Sequence, residues 1–127
     1  MSKIILSADR TCDIGAALAE KYSVNMISYQ ITLEEKTYMD SVDITPDDLY
    51  AAYHERRVLP QTSAINTAEY IDYFKKWTDE GYEVIHFTLS SAITRSYQSA
   101  VMAAEELPGV YVIDSRNVSS AIALLVM

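Results

Sequence analysis

The chain has 127 residues, half of them hydrophobic, with 18 acidic against 10 basic side chains and a formal net charge of -8. That is one domain's worth of chain, apolar enough to fold and too acidic overall for a nucleic-acid or anionic-membrane binder, both of which draw on accumulated Lys and Arg. A single cysteine, Cys12, excludes an internal disulfide and offers no metal-ligand spacing, and no apolar run nears the roughly 20 residues needed to span a bilayer. The first residues lack a signal-peptide layout, so a cytoplasmic protein is expected.

Residues 3–8 (Lys-Ile-Ile-Leu-Ser-Ala) read as a short buried strand, apolar with little alternation, as parallel strands tend to be. Residues 9–13 are polar and turn-like, with Asp13 a candidate cap for a helix over 14–22. A second strand is expected over 24–33, then a charged turn, Glu34-Glu35-Lys36, and an irregular stretch over 38–44. Thr45-Pro46-Asp47-Asp48 opens a helix cleanly, with Thr45 as cap, proline at the first helical position and acids in the first turn. Residues 58–65 read as a loop rich in small polar side chains. Asn66-Thr67-Ala68-Glu69 resembles a capping box leading into a helix through Trp77, which Gly81 ends. A third strand over 83–89, a helix over 97–107, a fourth strand over 110–114 and a last helix from Val118 complete the chain.

This alternation implies an α/β fold: a doubly wound, mainly parallel sheet with helices on both faces. Such sheets take ligands at the carboxyl ends of their strands. Hydroxyl and acid clusters fall there, at residues 9–13, 90–96 and 114–115, and Thr62-Ser63 can join them from its loop. None of the three glycines forms a phosphate loop or a dinucleotide fingerprint. Residues 119–127 are almost wholly apolar, and a helix hydrophobic all round expects burial, so a second domain or a subunit is expected to cover it.

The richest candidate is Leu89-Ser90-Ser91-Ala92-Ile93-Thr94-Arg95-Ser96, where a strand hands over to a helix. A helix start presents unpaired N–H groups and the positive dipole end, which attract anions. One cap needs one hydroxyl, and Ser90, Ser91, Thr94 and Ser96 supply four, so the surplus favours a polar ligand head group over capping alone. His86 interrupts an apolar strand and reads as a core residue, His54 as part of a solvated face, and Cys12 as a small packing residue. No Ser–His–Asp set is evident, and Ser90 and Ser91 lack the Gly-x-Ser-x-Gly elbow of a hydrolase. Asp40, Asp43, Asp47 and Asp48 match no metal loop and read as turn and first-turn acids. The competing reading is an enzyme of phosphotransfer or hydrolysis that uses a strand-end hydroxyl or thiol, Cys12, Ser91 or Thr94.

Several segments, in order, resemble the DegV-like family. Asp9-x-Thr11-x-Asp13-Ile14 is similar to its Asp-Ser-Thr-Ala-Asp-Leu opening, and Tyr38-x-Asp40-x-x-Asp43-Ile44 to its Tyr-x-Asp-Gly-x-Asp-Ile segment. Thr62-Ser63 matches the start of Thr-Ser-Gln-Pro-Ser. Ser90-Ser91-x-Ile93-Thr94-x-Ser96-Tyr97-Gln98-Ser99-Ala100 resembles Ser-Ser-x-Leu-Ser-Gly-Thr-Tyr-Gln-Ser-Ala, and Ile113-Asp114-Ser115 resembles the family's Ile-Asp-Ser. The resemblance implies the EDD fold and a two-domain cytosolic fatty-acid binder, of which residues 1–127 match only the amino-terminal domain. It also implies that Thr62 and Thr94 hold the carboxylate of a long-chain fatty acid; Ser63, Ser90 and Ser91 are further ligand-binding candidates with Arg95 a candidate head-group neighbour, and no cofactor, metal or catalytic residue is expected. Some members act as the acyl-carrying subunit of a bacterial fatty acid kinase, whose ATP-binding subunit is a separate partner. The chain departs from the family pattern in three places. Arg95 stands where the family has Gly, Arg10 follows the first Asp in place of Ser, and Ala64-Ile65-Asn66 replaces Gln-Pro-Ser.

Overall fold

The structure is a computed structural model describing residues 3–127. By internal contacts the chain divides into two compact units, Met1–Ile27 with Ile65–Met127, and Ser28–Ala64.

The larger unit is built on four parallel strands in the order β2-β1-β6-β7: β1 Ile4–Asp9, β2 Val24–Ile27, β6 Glu83–Thr88 and β7 Val110–Asp114. Register pairs Ser7 with Asn25 and His86, and Ala8 with Met26 and Phe87, so alternate residues face opposite sides. One face is apolar. Ala8, Val24, Met26 and Phe87 pack with Ala19 of helix α1 (Ala16–Lys21) and with Ile122, Ala123 and Val126 of helix α5 (Ser120–Val126). The other face carries Ser7, Asp9, Val84, His86 and Thr88, all fully buried. It meets Tyr70, Tyr73 and Phe74 of helix α3 (Thr67–Thr78), whose rings pack around His86. Helix α4 (Ser96–Glu106) buries Ala100 and Ala103 beside α3 and the strands β6 and β7. Gly81 and Gly109 take φ of +81° and +83° in the turns that enter β6 and β7, a conformation that suits a residue without Cβ.

The smaller unit holds a three-stranded antiparallel sheet, β4-β3-β5, made of β3 Gln30–Leu33, β4 Lys36–Met39 and β5 Gln61–Ser63. Helix α2 (Pro46–Arg56) completes it, with Ile31, Leu33, Ile44 and Ala52 forming its core.

The doubly wound parallel sheet with helices on both faces is as expected, and three local expectations are corrected. The stretch 24–33 is two strands in different sheets, broken after Ile27: its first half runs parallel beside β1, its second pairs antiparallel with β4 and β5. Residues 36–39, expected to fall in a turn and an irregular stretch, form β4, closed onto β3 by the two-residue turn Glu34-Glu35. Glu34 takes φ of +58° there without the Gly or Asn that usually announces such a turn. Asp13 does not cap α1, whose cap position is Gly15; Asp13 ends the 3-10 turn Arg10–Cys12 with φ of 52° and accepts a hydrogen bond from Ser119 Oγ. Helix α5 buries Ile122, Ala123 and Val126 and leaves Leu124 74% exposed. No helix among the described residues is long and apolar enough to cross a membrane.

Candidate functional site

Strand β1 has β2 on one side and β6 on the other, so the strand order reverses between β1 and β6. In open α/β sheets the crevice outside the carboxyl ends at such a reversal is where ligands sit. Two segments leave the sheet there, the turn Arg10–Cys12 after β1 and residues 89–95 after β6.

The second segment is tightly tied. The Leu89 amide donates to Asp9 Oδ2 at 2.8 Å, fastening its start to β1. The Ser90 carbonyl accepts from the amides of Ile93 and Thr94, closing the turn, and Ser90 Oγ accepts from the Ala92 amide. Ser91 donates from both its amide and its hydroxyl to the Asp114 carboxylate, at 3.1 and 2.5 Å. The slight burial of that carboxylate works to raise its pKa. The Ser91 hydroxyl, the Arg116 and Ser91 amides and the Arg116 charge outweigh it and hold Asp114 below the usual carboxylate range. Thr94 Oγ1 accepts from the Ser96 amide and donates to Ser96 Oγ, both at 3.1 Å, and Ser96 Oγ accepts from the Ile65 amide. Arg95 occupies the cap position of α4 in αR conformation and makes no side-chain cap. It and Ser91 are exposed, Thr94 is half-buried and Ser90 is buried.

The larger unit thus brings Ser90, Ser91, Thr94 and Arg95 together on one turn. Thr62 and Ser63 belong to the smaller unit, where they lie not in a loop but on β5, exposed, with Thr62 opposite Ile31 of β3. That unit also has an open apolar groove lined by Pro46, Leu49, Tyr50, Tyr53, Leu59 and Pro60, and none of the expected head-group hydroxyls lines it.

Beneath the turn lies a feature that sequence reasoning missed. Ser7, His86 and Asp9 form a hydrogen-bonded row: Ser7 Oγ to His86 Nδ1 at 2.8 Å and His86 Nε2 to Asp9 Oδ1 at 3.0 Å. Tyr70 donates to the same Asp9 oxygen at 2.6 Å, and Tyr73 lies 2.7 Å from Ser7 Oγ. An Nε2–H tautomer satisfies every member. Tyr73 donates to Ser7, Ser7 to Nδ1, and Nε2–H to Asp9, which also takes Tyr70 and the Leu89 amide. Desolvation pushes the Tyr73 phenol well above its usual range, which keeps it a donor. Although Ser, His and Asp are aligned, all three are fully buried, so the row has no access to a substrate. The parity of the strands was the available signal, because a parallel register places residue 7 beside residue 86.

Other candidate nucleophiles and ligands fare similarly. Cys12 is fully buried, its thiol 3.7 Å from the Met26 sulfur, and burial pushes its pKa up, which disfavours thiolate. Asp43 accepts from the Met39 amide, Asp48 belongs to the cap of α2, and Asp40 accepts from Ser41, each a local structural duty. His54 is exposed on α2. Two further atoms stand out: Arg10 Nε and Thr11 Oγ1 are enclosed and have no hydrogen-bond partner among the described residues.

A family model described as an uncharacterised protein family, DegV, matches residues 3–127. A DegV domain-containing protein of Clostridium perfringens is 35% identical over 129 residues, covering 100% of this chain and 46% of that protein. A second, from Clostridium acetobutylicum, is 34% identical with the same coverage. The chain therefore spans about half the length of the curated relatives it matches. Among solved structures, a stearic acid-binding protein from Eubacterium ventriosum superposes with a TM-score of 0.84 at 30% identity, over 98% of this chain and 45% of the other. A hypothetical protein from Thermotoga maritima, whose structure reveals a fatty acid binding function, gives 0.84 at 29% identity, over 98% and 46%. The DegV fatty acid binding protein of Bacillus subtilis gives 0.90 over 99% and 45%, and at 24% identity it speaks for the fold alone.

Proposed function

The chain belongs to the DegV family, and on that premise we propose that it binds a long-chain fatty acid, with the carboxylate at the turn before α4. In this reading Thr94 turns its hydroxyl from Ser96 Oγ to the carboxylate, Thr62 donates to the same group, Ser63, Ser90 and Ser91 form polar surroundings, and Arg95 supplies a nearby charge. The observation that carries it is the surplus of hydroxyls on a turn at the strand-order reversal, in a chain whose solved neighbours include a stearic acid-binding protein. Because those neighbours are about twice as long, the second domain expected from the resemblance belongs to the proposal as well.

The energetics are coherent. Each methylene buried from water contributes about 0.8 kcal/mol gross, and each hydrogen bond to a charged head group about 1.5–3 kcal/mol. The tail supplies strength and the hydroxyls supply orientation, which is what a carrier needs in order to present its cargo. We therefore read the protein as a cytoplasmic carrier and not a catalyst, serving a separate ATP-binding subunit of a fatty acid kinase. Three observations weigh against the enzymatic alternative. The Cys12 thiol is buried and held protonated, the Ser7–His86–Asp9 row is enclosed, and Asp114, the partner of Ser91, is a weakened base because its pKa is lowered.

Native mass spectrometry of protein purified from cells tests the reading. The expected result is a mass increment matching a long-chain fatty acid, diminished in Thr94→Ala. Lipid-free protein that also fails to bind added oleate would overturn it.

A further inference from the structure

We infer that Arg10 and Thr11 complete the head-group site, with the Arg10 guanidinium as the charged partner of the fatty-acid carboxylate; this rests on the fatty-acid reading above.

Asp9 is the last residue of β1, and its side chain accepts the Leu89 amide at 2.8 Å. Arg10 and Ser90 are therefore each the next residue along from one shared hydrogen bond. Cys12 and Leu89 also lie in the same apolar cluster, so the turn Arg10–Cys12 flanks the hydroxyl-rich turn at the strand-order reversal.

Next comes the state of the polar atoms. Two of the hydroxyls chosen from sequence already have acceptors inside the protein: Ser91 donates to Asp114 and Thr94 donates to Ser96. Arg10 Nε and Thr11 Oγ1 are the reverse case, enclosed and without a hydrogen-bond partner among the described residues. A buried charged N–H without an acceptor is costly, so such a group calls for one. The carboxylates at the strand ends hold other donors. Asp9 takes Tyr70, His86 and Leu89, Asp13 takes Ser119, and Asp114 takes Ser91 and the Arg116 amide.

The chemistry of the missing acceptor follows from the donors. A guanidinium presents planar, parallel N–H groups that match the two oxygens of a carboxylate, and the neighbouring hydroxyl can donate to the same group. An alcohol head group would offer one neutral oxygen in place of the two charged oxygens of a carboxylate. Arg10 thus makes the site selective for the ionised acid over the corresponding fatty alcohol. It stands where the motif of the resembled family has Ser.

The test compares oleate with oleyl alcohol by calorimetry on the whole chain, as wild type, Arg10→Gln, Arg10→Lys and Thr11→Val. Wild type is expected to prefer oleate. Arg10→Gln should weaken oleate binding at least tenfold while leaving oleyl alcohol unchanged, so that the preference collapses. Arg10→Lys, which keeps the charge without the fork, should fall between, and Thr11→Val should lose a few-fold. Melting temperatures of the lipid-free variants should not fall, because neither atom has a hydrogen-bond partner among the described residues. Wild-type oleate affinity in Arg10→Gln overturns the inference alone, as does an equal loss for acid and alcohol, or failure of both Arg10 variants to fold. Absence of oleate binding by the wild type overturns the fatty-acid reading on which it stands.

Discussion

Helices α2 and α3 begin in one way and α4 in another. At α2, Thr45 Oγ1 accepts from the Asp48 amide and the Asp48 carboxylate accepts from the Thr45 amide; at α3, Asn66 and Glu69 make the same reciprocal pair. Both are closed boxes in which each side chain answers a backbone N–H, leaving little for a ligand. At α4 there are more hydroxyls, yet the cap residue is Arg95 and its side chain caps nothing. The hydroxyls there hold a turn together, fasten it to Asp114 and Ile65, and sit over a buried polar row ending in Asp9. The difference teaches that a crowd of Ser and Thr at a helix start does not by itself mean capping. Where one pair suffices to cap, the remainder build a platform.

The largest effect should come from removing what holds that platform. Asp9 is fully buried and accepts from Tyr70, His86 and the Leu89 amide, so Asp9→Ala strands at least these donors. A loss of about 3–5 kcal/mol in urea unfolding is expected. A loss below about 1 kcal/mol would mean that the row under α4 is dispensable. Next in size are the closed boxes. Asn66→Ala should cost about 1 kcal/mol by the same measurement, without changing oleate affinity. Thr94→Ala should do the opposite, weakening oleate binding several-fold at a smaller cost in stability. Equal behaviour of these two variants would erase the distinction between capping and platform. The smallest effect is on pH. The Thr45 hydroxyl and amide hold Asp48 below the usual carboxylate range. A depressed folded-state pKa gives stability that is present above the unfolded value and lost as pH falls through the folded one. Acid should therefore loosen the start of α2 below the usual carboxylate pKa, seen as exchange of the Asp48 amide, and Asp48→Asn should remove that dependence.

Much of this was legible in the sequence because local chemistry decides it. Thr45-Pro46-Asp47-Asp48 and Asn66 with Glu69 announced their helices, and the strands of the larger unit announced themselves by apolar runs. The smaller sheet was not legible. Glu34-Glu35 turns a hairpin with neither Gly nor Asn, and Gln61-Thr62-Ser63 is an exposed, polar strand specified by pairing with β3. Of the candidate site, the hydroxyls of residues 90–96 were visible as a cluster, but their partners were not. Asp9 and Asp114 are 80 and 23 residues distant from Leu89 and Ser91, and only the parallel register joins them. His86 was readable as a core residue, whereas its ties to Ser7 and Asp9 depend on β1 lying beside β6.

The most direct test follows backbone amide shifts by NMR while oleate is titrated into the whole chain. The amides of Leu89, Ser90, Ser91, Thr94 and Ser96 should move and saturate together, while those of Thr45, Asp48, Asn66 and Glu69 stay in place. Oleate that leaves residues 89–96 unmoved, or that shifts the capping boxes of α2 and α3 as strongly, would contradict the account.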